Sequence, residues 1–217
     1  MSESKVDLYL CGVKGYAAAK YIVENHSELI ANVTLAPDTG TVDDPIEDMV
    51  KLFNQANIRT TLNDPGKISE LALAVGWKKL IEANYSQVIV IHDSLLPKYR
   101  GFNPLLTALI NGDTRIGATA LIATDEVDAG PIVAQEVKSI KYPMKLEEAM
   151  QIISSLIEKL LRRVCYQIEK SGKATGKAQN HKSATYSLWR DEEDFQIDWT
   201  LPAEVVVRHI HASSYPY

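Results

Sequence analysis

Apolar positions along the chain gather into short dense runs separated by stretches of helical spacing. Val6-Asp7-Leu8-Tyr9-Leu10-Cys11 and residues 31–36 read as strands. Gly12-Val13-Lys14-Gly15 closes the first with a turn, and Pro37-Asp38-Thr39-Gly40 closes the second. Residues 16–25 between them have helical spacing. Asp43-Asp44-Pro45 leads into a helix with proline near its first turn, whose apolar face is Ile46, Met49, Val50, Leu52 and Phe53. Runs at 58–61 and 71–75 predict a third and a fourth strand, the latter followed by Gly76-Trp77. Val88-Ile89-Val90-Ile91 predicts a fifth, without polar alternation, as in a buried parallel strand. A helix over 104–111 stops at Gly112. The runs 118–123 and 132–137 flank an acidic loop and pair as antiparallel neighbours across it. From Leu146 a long helix carries an inner stripe of Ala149, Met150, Ile153, Ile157, Leu160, Leu161, Val164 and Ile168.

Strands alternating with helices predict an α/β fold: a Rossmann-like, doubly wound, mostly parallel sheet with a long C-terminal helix and a small C-terminal extension. The composition shifts after that helix. Residues 171–182 are lysine-rich and contain Gly172 and Gly176, which reads as an exposed linker. The expected division is a catalytic domain over 1–170 and a linker with a small extension over 171–217. The abrupt end at Tyr215-Pro216-Tyr217 leaves room for residues beyond Tyr217. The tail aromatics Tyr186, Trp189, Trp199 and Tyr215 admit two arrangements, stacking on a nucleotide base or a small core under the tail.

Of the 217 residues 46% are hydrophobic, enough for a sizeable core, and the net charge is -5. That balance argues against a broad nucleic-acid footprint, but it suits an anionic small molecule held by a few local cations. The two cysteines, Cys11 and Cys165, have neither metal-ligand spacing nor a disulfide framework and read as buried thiols in a reducing compartment. The polar start, Met1 to Asp7, has no apolar leader core, and no run approaches the roughly 20 apolar residues of a membrane helix. The expectation is a soluble cytoplasmic protein without a membrane partner. No zinc site, P-loop or nucleophile elbow is present in the sequence, and no metal is expected.

His92 ends the fifth apolar run, where open α/β sheets bind ligands, and Pro97 and Gly101 then turn the chain. Asp128, before Ala129-Gly130, follows another strand. A lone histidine or a turn aspartate is usually structural, but at two strand ends of one sheet they form a proton-transfer pair. Gly12-Val13-Lys14-Gly15 lacks the spacing of a dinucleotide fingerprint, and no clear acidic partner follows the second strand. It reads as a tight strand-to-helix turn, with Lys14 facing a phosphate near the helix start.

His92-Asp93-Ser94-Leu95-Leu96-Pro97-Lys98-Tyr99-Arg100-Gly101, with Asn111-Gly112-Asp113, Gly117-Ala118-Thr119 and Asp128-Ala129-Gly130-Pro131-Ile132, resembles the formyltransferase family. That family includes glycinamide ribonucleotide, methionyl-tRNA and sugar N-formyltransferases. The likeness runs from about Leu71 to Ile140. Arg100-Gly101-Phe102-Asn103-Pro104 is most similar to the sugar branch, and Asp194-Phe195-Gln196-Ile197-Asp198-Trp199 is similar to the region that follows the catalytic domain in sugar and methionyl-tRNA members. The resemblance implies 10-formyltetrahydrofolate as donor, an amine acceptor, and His92 with Asp128 as catalytic pair. It implies a pterin site near Val75, Gly76, Trp77 and Val90 and along the loop Thr124, Asp125 and Val127. It directs Tyr99, Arg100, Gly101 and Phe102, with Lys14, toward the acceptor. The family keeps an asparagine two positions before the histidine, and here that position is Val90. Formyl transfer needs a hydrogen-bond donor for the developing oxyanion, so Asn103 or a backbone N–H is expected to replace it.

The leading expectation is N-formyl transfer to a nucleotide-linked amino sugar. The alternatives are a formyltetrahydrofolate hydrolase, a glycinamide ribonucleotide or methionyl-tRNA formyltransferase, and a weakly catalytic folate- or nucleotide-binding module. Partners are small molecules rather than nucleic acid, and because sugar members are often dimers the resemblance also allows a homodimer.

Overall fold

The computed structural model describes residues 4–63, 66–81 and 84–216. The first three residues and Tyr217, which belong to the polar start and the chain end discussed above, lie outside it. Its strands are β1 (Val6–Cys11), β2 (Ile30–Ala36), β3 (Thr60–Leu62), β4 (Leu71–Val75), β5 (Gln87–His92), β6 (Arg100–Gly101), β7 (Arg115–Ile122), β8 (Ile132–Ser139) and β9 (Tyr186–Ser187). Its α-helices are α1 (Gly12–His26), α2 (Ile46–Gln55), α3 (Pro104–Ile110), α4 (Leu146–Ser171) and α5 (Ala203–Ala212).

Seven strands form one sheet in the order β3-β2-β1-β4-β5-β7-β8. The first five run parallel, β7 is antiparallel to β5, and β8 is antiparallel to β7. This is the Rossmann-like sheet that the apolar runs predict. The strand order reverses between β1 and β4, so the carboxyl ends of β1, β4 and β5 border one crevice.

Alternation along the strands divides the sheet into two unequal faces. Leu8, Leu10, Val33, Leu35, Leu73, Val75, Ile89 and Ile91 share one large core with Ala18 and Ile22 of α1, Met49 and Phe53 of α2, Leu105 and Leu109 of α3, and the apolar stripe of α4. The opposite parity, Tyr9, Ala72, Ala74, Val88 and Val90, forms a small separate cluster with Trp77, Ile81 and Tyr85. The connection from β4 to β5 supplies that second cover and carries no helix among its described residues.

Two local expectations change. Residues 12–15 are the first turn of α1 rather than a separate loop, because Gly12 at φ +63° reverses the chain within one residue. The tail aromatics do not form a core: Tyr186, Trp189, Trp199 and Tyr215 are all exposed. The tail is nevertheless anchored. β9 pairs in parallel with β6, and Lys177 bridges Ile132 of β8. Among the described residues no helix is long and apolar enough to cross a membrane.

Candidate functional site

His92 is the last residue of β5 and lies opposite Thr119 of β7. The turn that follows is fastened from both sides. The Thr119 hydroxyl donates to the Ser94 carbonyl at 2.7 Å and accepts from the Leu96 N–H at 3.3 Å. The Gln135 amide of β8 donates to that hydroxyl at 2.9 Å and to the Leu96 carbonyl at 2.7 Å. Ser94 closes the turn through the Lys98 carbonyl at 2.6 Å. Thr119 is fully buried, so these partners have no water to replace it. Thr119 belongs to a quoted motif, whereas Gln135 has no sequence signal beyond its place on β8.

The imidazole of His92 is 7% exposed. Its Nε2 lies 2.8 Å from the Tyr99 carbonyl oxygen. A carbonyl can only accept, so Nε2 carries a hydrogen. Nδ1 faces the Oδ2 of Asp128 at 3.5 Å, just beyond a normal hydrogen bond. The same carboxylate oxygen accepts the Gly101 N–H at 2.8 Å. Asp128 adopts φ +52°, a left-handed turn that aims its side chain back at β5 and β6. The structure thus brings His92, Asp128 and Gly101 together.

Gly101 is held from the opposite side. It has φ +101°, and a Cβ there would lie 2.5 Å from the Ser187 carbonyl oxygen of β9. Arg100 is 1% exposed, its guanidinium held by Gln179 at 2.8 and 3.2 Å and by Glu126 at 3.2 Å. Tyr99 is buried, and its hydroxyl accepts from Asn111 at 3.0 Å. Phe102 is 51% exposed and meets Trp189 edge to face with centroids 5.4 Å apart. Asn103 is exposed, in the left-handed region at φ +49°, and its side chain makes no capping bond to α3.

Charges line the neighbouring strand ends. Lys14 in the first turn of α1 donates to Asp93 at 3.0 Å. Burial opposes ionisation of Asp93, but the Lys14 ammonium, and behind it His92, outweigh this and hold the carboxyl below the ordinary aspartate range. Lys78, just past β4, donates to the buried Asp38 at 2.6 Å. A cavity of about 300 Å³ opens beside the turn, walled by Asp93, Ser94, Lys98, Tyr99, Asp113 and Arg115 among others. His92 and Asp128 are not among its walls, so the cavity adjoins the pair rather than containing it.

Val75 is buried at the end of β4, and Gly76 turns the chain to Trp77. The Trp77 ring packs edge-on against Tyr9 at 5.1 Å, and its buried indole Nε1 has no hydrogen-bond partner among the described residues. Val90 lies in the same apolar cluster, two residues before His92 on the same strand face. Thr124, Asp125 and Val127 are exposed on the β7–β8 loop, with the Thr124 hydroxyl donating to the Glu126 carbonyl at 3.1 Å.

Residues 69–165 match the family model described as formyl transferase. The chain is 33% identical over 135 residues to methionyl-tRNA formyltransferase of Wigglesworthia glossinidia brevipalpis, a match covering 62% of this chain and 42% of that protein. The chain therefore spans well under half the length of that curated relative. Among solved structures, an N-formyltransferase from Helicobacter canadensis, in complex with folinic acid and dTDP-3-aminofucose, superposes with a TM-score of 0.72 at 16% identity, covering 96% of this chain and 80% of that one. WlaRD, a sugar 3N-formyl transferase solved in the presence of dTDP and 5-N-formyl-THF, gives 0.71 at 15% identity, covering 98% and 80%. At these identities the structural likeness is one of fold.

Proposed function

The chain belongs to the formyltransferase family over residues 69–165, and from that premise we propose that it moves a formyl group from 10-formyltetrahydrofolate to the amine of a nucleotide-linked amino sugar. The observation that carries the reading is the approach of His92 Nδ1 to Asp128 Oδ2 at 3.5 Å on the carboxyl edge of the sheet. An amine that attacks a formyl carbon becomes an ammonium while the formyl oxygen gains negative charge. The site must take the proton and donate to the oxygen. Nε2 is committed to the Tyr99 carbonyl, so Nδ1 is the nitrogen with room to receive a proton. Asp128 then balances the imidazolium, and the Gly101 N–H keeps the carboxylate aimed.

Val90 offers no amide at the position where the family keeps asparagine. Asn103 is the replacement donor in this reading: it is exposed, uncommitted to the α3 cap, and two residues from the Gly101 N–H. The donor would supply an activated formyl group on nitrogen, and the proton taken by His92 Nδ1 would pass to that nitrogen as its bond to the formyl carbon breaks. For its pterin the fit is an apolar wall of Trp77, Tyr9 and Val90 with the unpartnered indole N–H of Trp77, flanked by Thr124, Asp125 and Val127. The acceptor side would be Lys14, Tyr99, Arg100, Gly101 and Phe102. Of these, Phe102 presents an open face, whereas the Arg100 N–H is committed to the Thr185 carbonyl at 2.9 Å and its guanidinium to Gln179 and Glu126, so Arg100 supports this side from beneath.

An acidic chain with a net charge of -5 suits a small acceptor better than a tRNA, whose binding needs many phosphate contacts. A methionyl-tRNA acceptor is the second reading, favoured by the sequence relatives. The experiment is to supply 10-formyltetrahydrofolate with a panel of nucleotide-linked 3- and 4-amino sugars and, in parallel, initiator methionyl-tRNA, following tetrahydrofolate release. Release with one amino sugar, abolished in His92→Ala, is the expected result. Release without any amine identifies a hydrolase. Folate binding by calorimetry with no turnover identifies a binding module. A wild-type rate in His92→Ala overturns the assignment of the pair.

A further inference from the structure

Gln179 lies in the segment after α4 that composition alone marks as linker, yet it is 7% exposed. Its amide is fully used. Nε2 donates to the Asp128 carbonyl at 2.7 Å and to the Gly130 carbonyl at 2.8 Å. Oε1 accepts from the Arg100 guanidinium through Nε at 3.2 Å and through a terminal nitrogen at 2.8 Å. With carbonyls on one side and a cation on the other, only this orientation of the amide satisfies both.

These partners close a ring. Arg100 precedes Gly101, whose N–H holds the Asp128 carboxylate at 2.8 Å, while Gln179 holds the Asp128 main chain. Asp128 sits at φ +52°, and a non-glycine residue keeps such a backbone only where its surroundings impose it. Gly130 and Asp128 together define that turn, and one amide grips the carbonyls of both.

We infer that Gln179 is a positioning residue for formyl transfer, fixing the left-handed turn at Asp128 and the seat of β6 so that the carboxylate meets Nδ1 of His92. This rests on the reading of His92 and Asp128 as the proton-transfer pair. Leucine fills the space but offers neither donor nor acceptor. Glutamate keeps an acceptor for Arg100 but turns a second acceptor toward the two carbonyls. The inference therefore demands that both substitutions damage the chemistry, with glutamate sparing the fold.

The test uses the full chain with 10-formyltetrahydrofolate and the best acceptor of the amino-sugar panel. In Gln179→Leu and Gln179→Glu, kcat falls about 10- to 100-fold while KM for the folate stays within about threefold. The decisive readout is a double-mutant comparison. If Gln179 acts through Asp128, Gln179→Glu costs less than about twofold in an Asp128→Asn background. A merely structural residue would cost the same in both backgrounds. Near-normal kcat in Gln179→Glu, or full additivity with Asp128→Asn, overturns the inference. Wild-type turnover in His92→Ala or Asp128→Asn instead overturns the reading beneath it, and the inference falls with it. If no acceptor is turned over, the Gly101 amide decides the positioning claim alone. Its hydrogen exchange, followed by NMR, must rise at least about tenfold in Gln179→Glu, and unchanged protection rejects the claim.

Discussion

Gly101→Ala is the sharpest perturbation of this site, because two independent geometric facts forbid a side chain there. The residue sits at φ +101°, where an L-residue is strained by about 1–3 kcal/mol. A Cβ would also stand 2.5 Å from the Ser187 carbonyl, which itself accepts the Phe102 N–H at 3.0 Å. Ordinary contact begins at 3.4 Å, so β6 and β9 must part by about 0.9 Å at this point. A protein of this size loses roughly 2–4 °C in Tm for each kcal/mol, which gives a fall of about 2–12 °C. The chemical consequence is larger. The Gly101 N–H is the direct hydrogen-bond donor to Asp128 Oδ2, and a misplacement of about 1 Å in a catalytic constellation costs on the order of 100-fold. Scanning calorimetry and tetrahydrofolate release, run on the same preparations, measure both effects. Folate affinity by calorimetry should fall less than the rate, because Gly101 meets the β7–β8 loop at Asp128 rather than at Thr124, Asp125 or Val127. An unchanged Tm together with an unchanged rate would refute the claim that β9 presses on β6 and that β6 aims the carboxylate.

Thr119→Val keeps the shape of the buried hub but leaves the Leu96 N–H, the Ser94 carbonyl and the Gln135 amide short of a partner. It should cost about 2–3 kcal/mol in denaturant unfolding, and a cost under about 0.5 kcal/mol would count against the hub. The lowered Asp93 carboxyl makes Lys14→Met pH-dependent. A depressed folded-state value adds stability that is complete above the ordinary aspartate range and disappears as pH falls through the folded-state value. Wild type and Lys14→Met should therefore differ by about 1–3 kcal/mol at pH 7 and converge as pH falls through the folded-state value of Asp93, and unfolding curves with a constant offset would exclude the pair as the cause. Burial, with Asp38 behind it, pushes the Cys11 thiol up to about 11, and burial pushes Cys165 up to about 12. At pH 8 the thiolate of Cys11 is on the order of one part in a thousand, so iodoacetamide should label neither cysteine until the protein unfolds. Rapid native labelling by mass spectrometry would contradict that burial.

The main sheet was legible because burial on both faces leaves unbroken apolar runs, as at Val88–Ile91, and the stripe of α4 repeats from Leu146 to Ile168, about six turns. His92 was legible because it closes such a run, whereas Asp128 lies inside the β7–β8 loop, past the end of β7 at Ile122, and was legible through its Asp-Ala-Gly motif rather than as a strand end. What escaped was everything made by two-residue strands. Arg100-Gly101 and Tyr186-Ser187 are too short to show a period, and their pairing depends on Gly101 and on a carbonyl contact, neither of which composition reports. The segment around Gln179 reads as linker because it is polar, yet Ala174 and Gln179 are buried. Polarity signals exposure only when no buried cation waits for it, and here Arg100 does. The tail aromatics admitted a base-stacking surface or a small core, and composition does not choose between them. Trp189 is 64% exposed and meets Phe102 edge to face, which excludes the core.

The link between β6 and β9 also sets a schedule. The Tyr99 N–H bonds the Thr185 hydroxyl across 86 residues of chain. At about 5–20 residues per second, a ribosome delivers the second partner roughly 4–17 s after the first. In the later part of that interval, once Ser139 has been made, the nascent sheet from β1 to β8 has every strand it needs, while the Asp128 turn still lacks its Gln179 clamp and β6 still lacks β9. In the proposed reading the His92–Asp128 pair is thus assembled late in synthesis, and a chain interrupted within α4 would have every strand of the main sheet but neither β9 nor the Gln179 clamp.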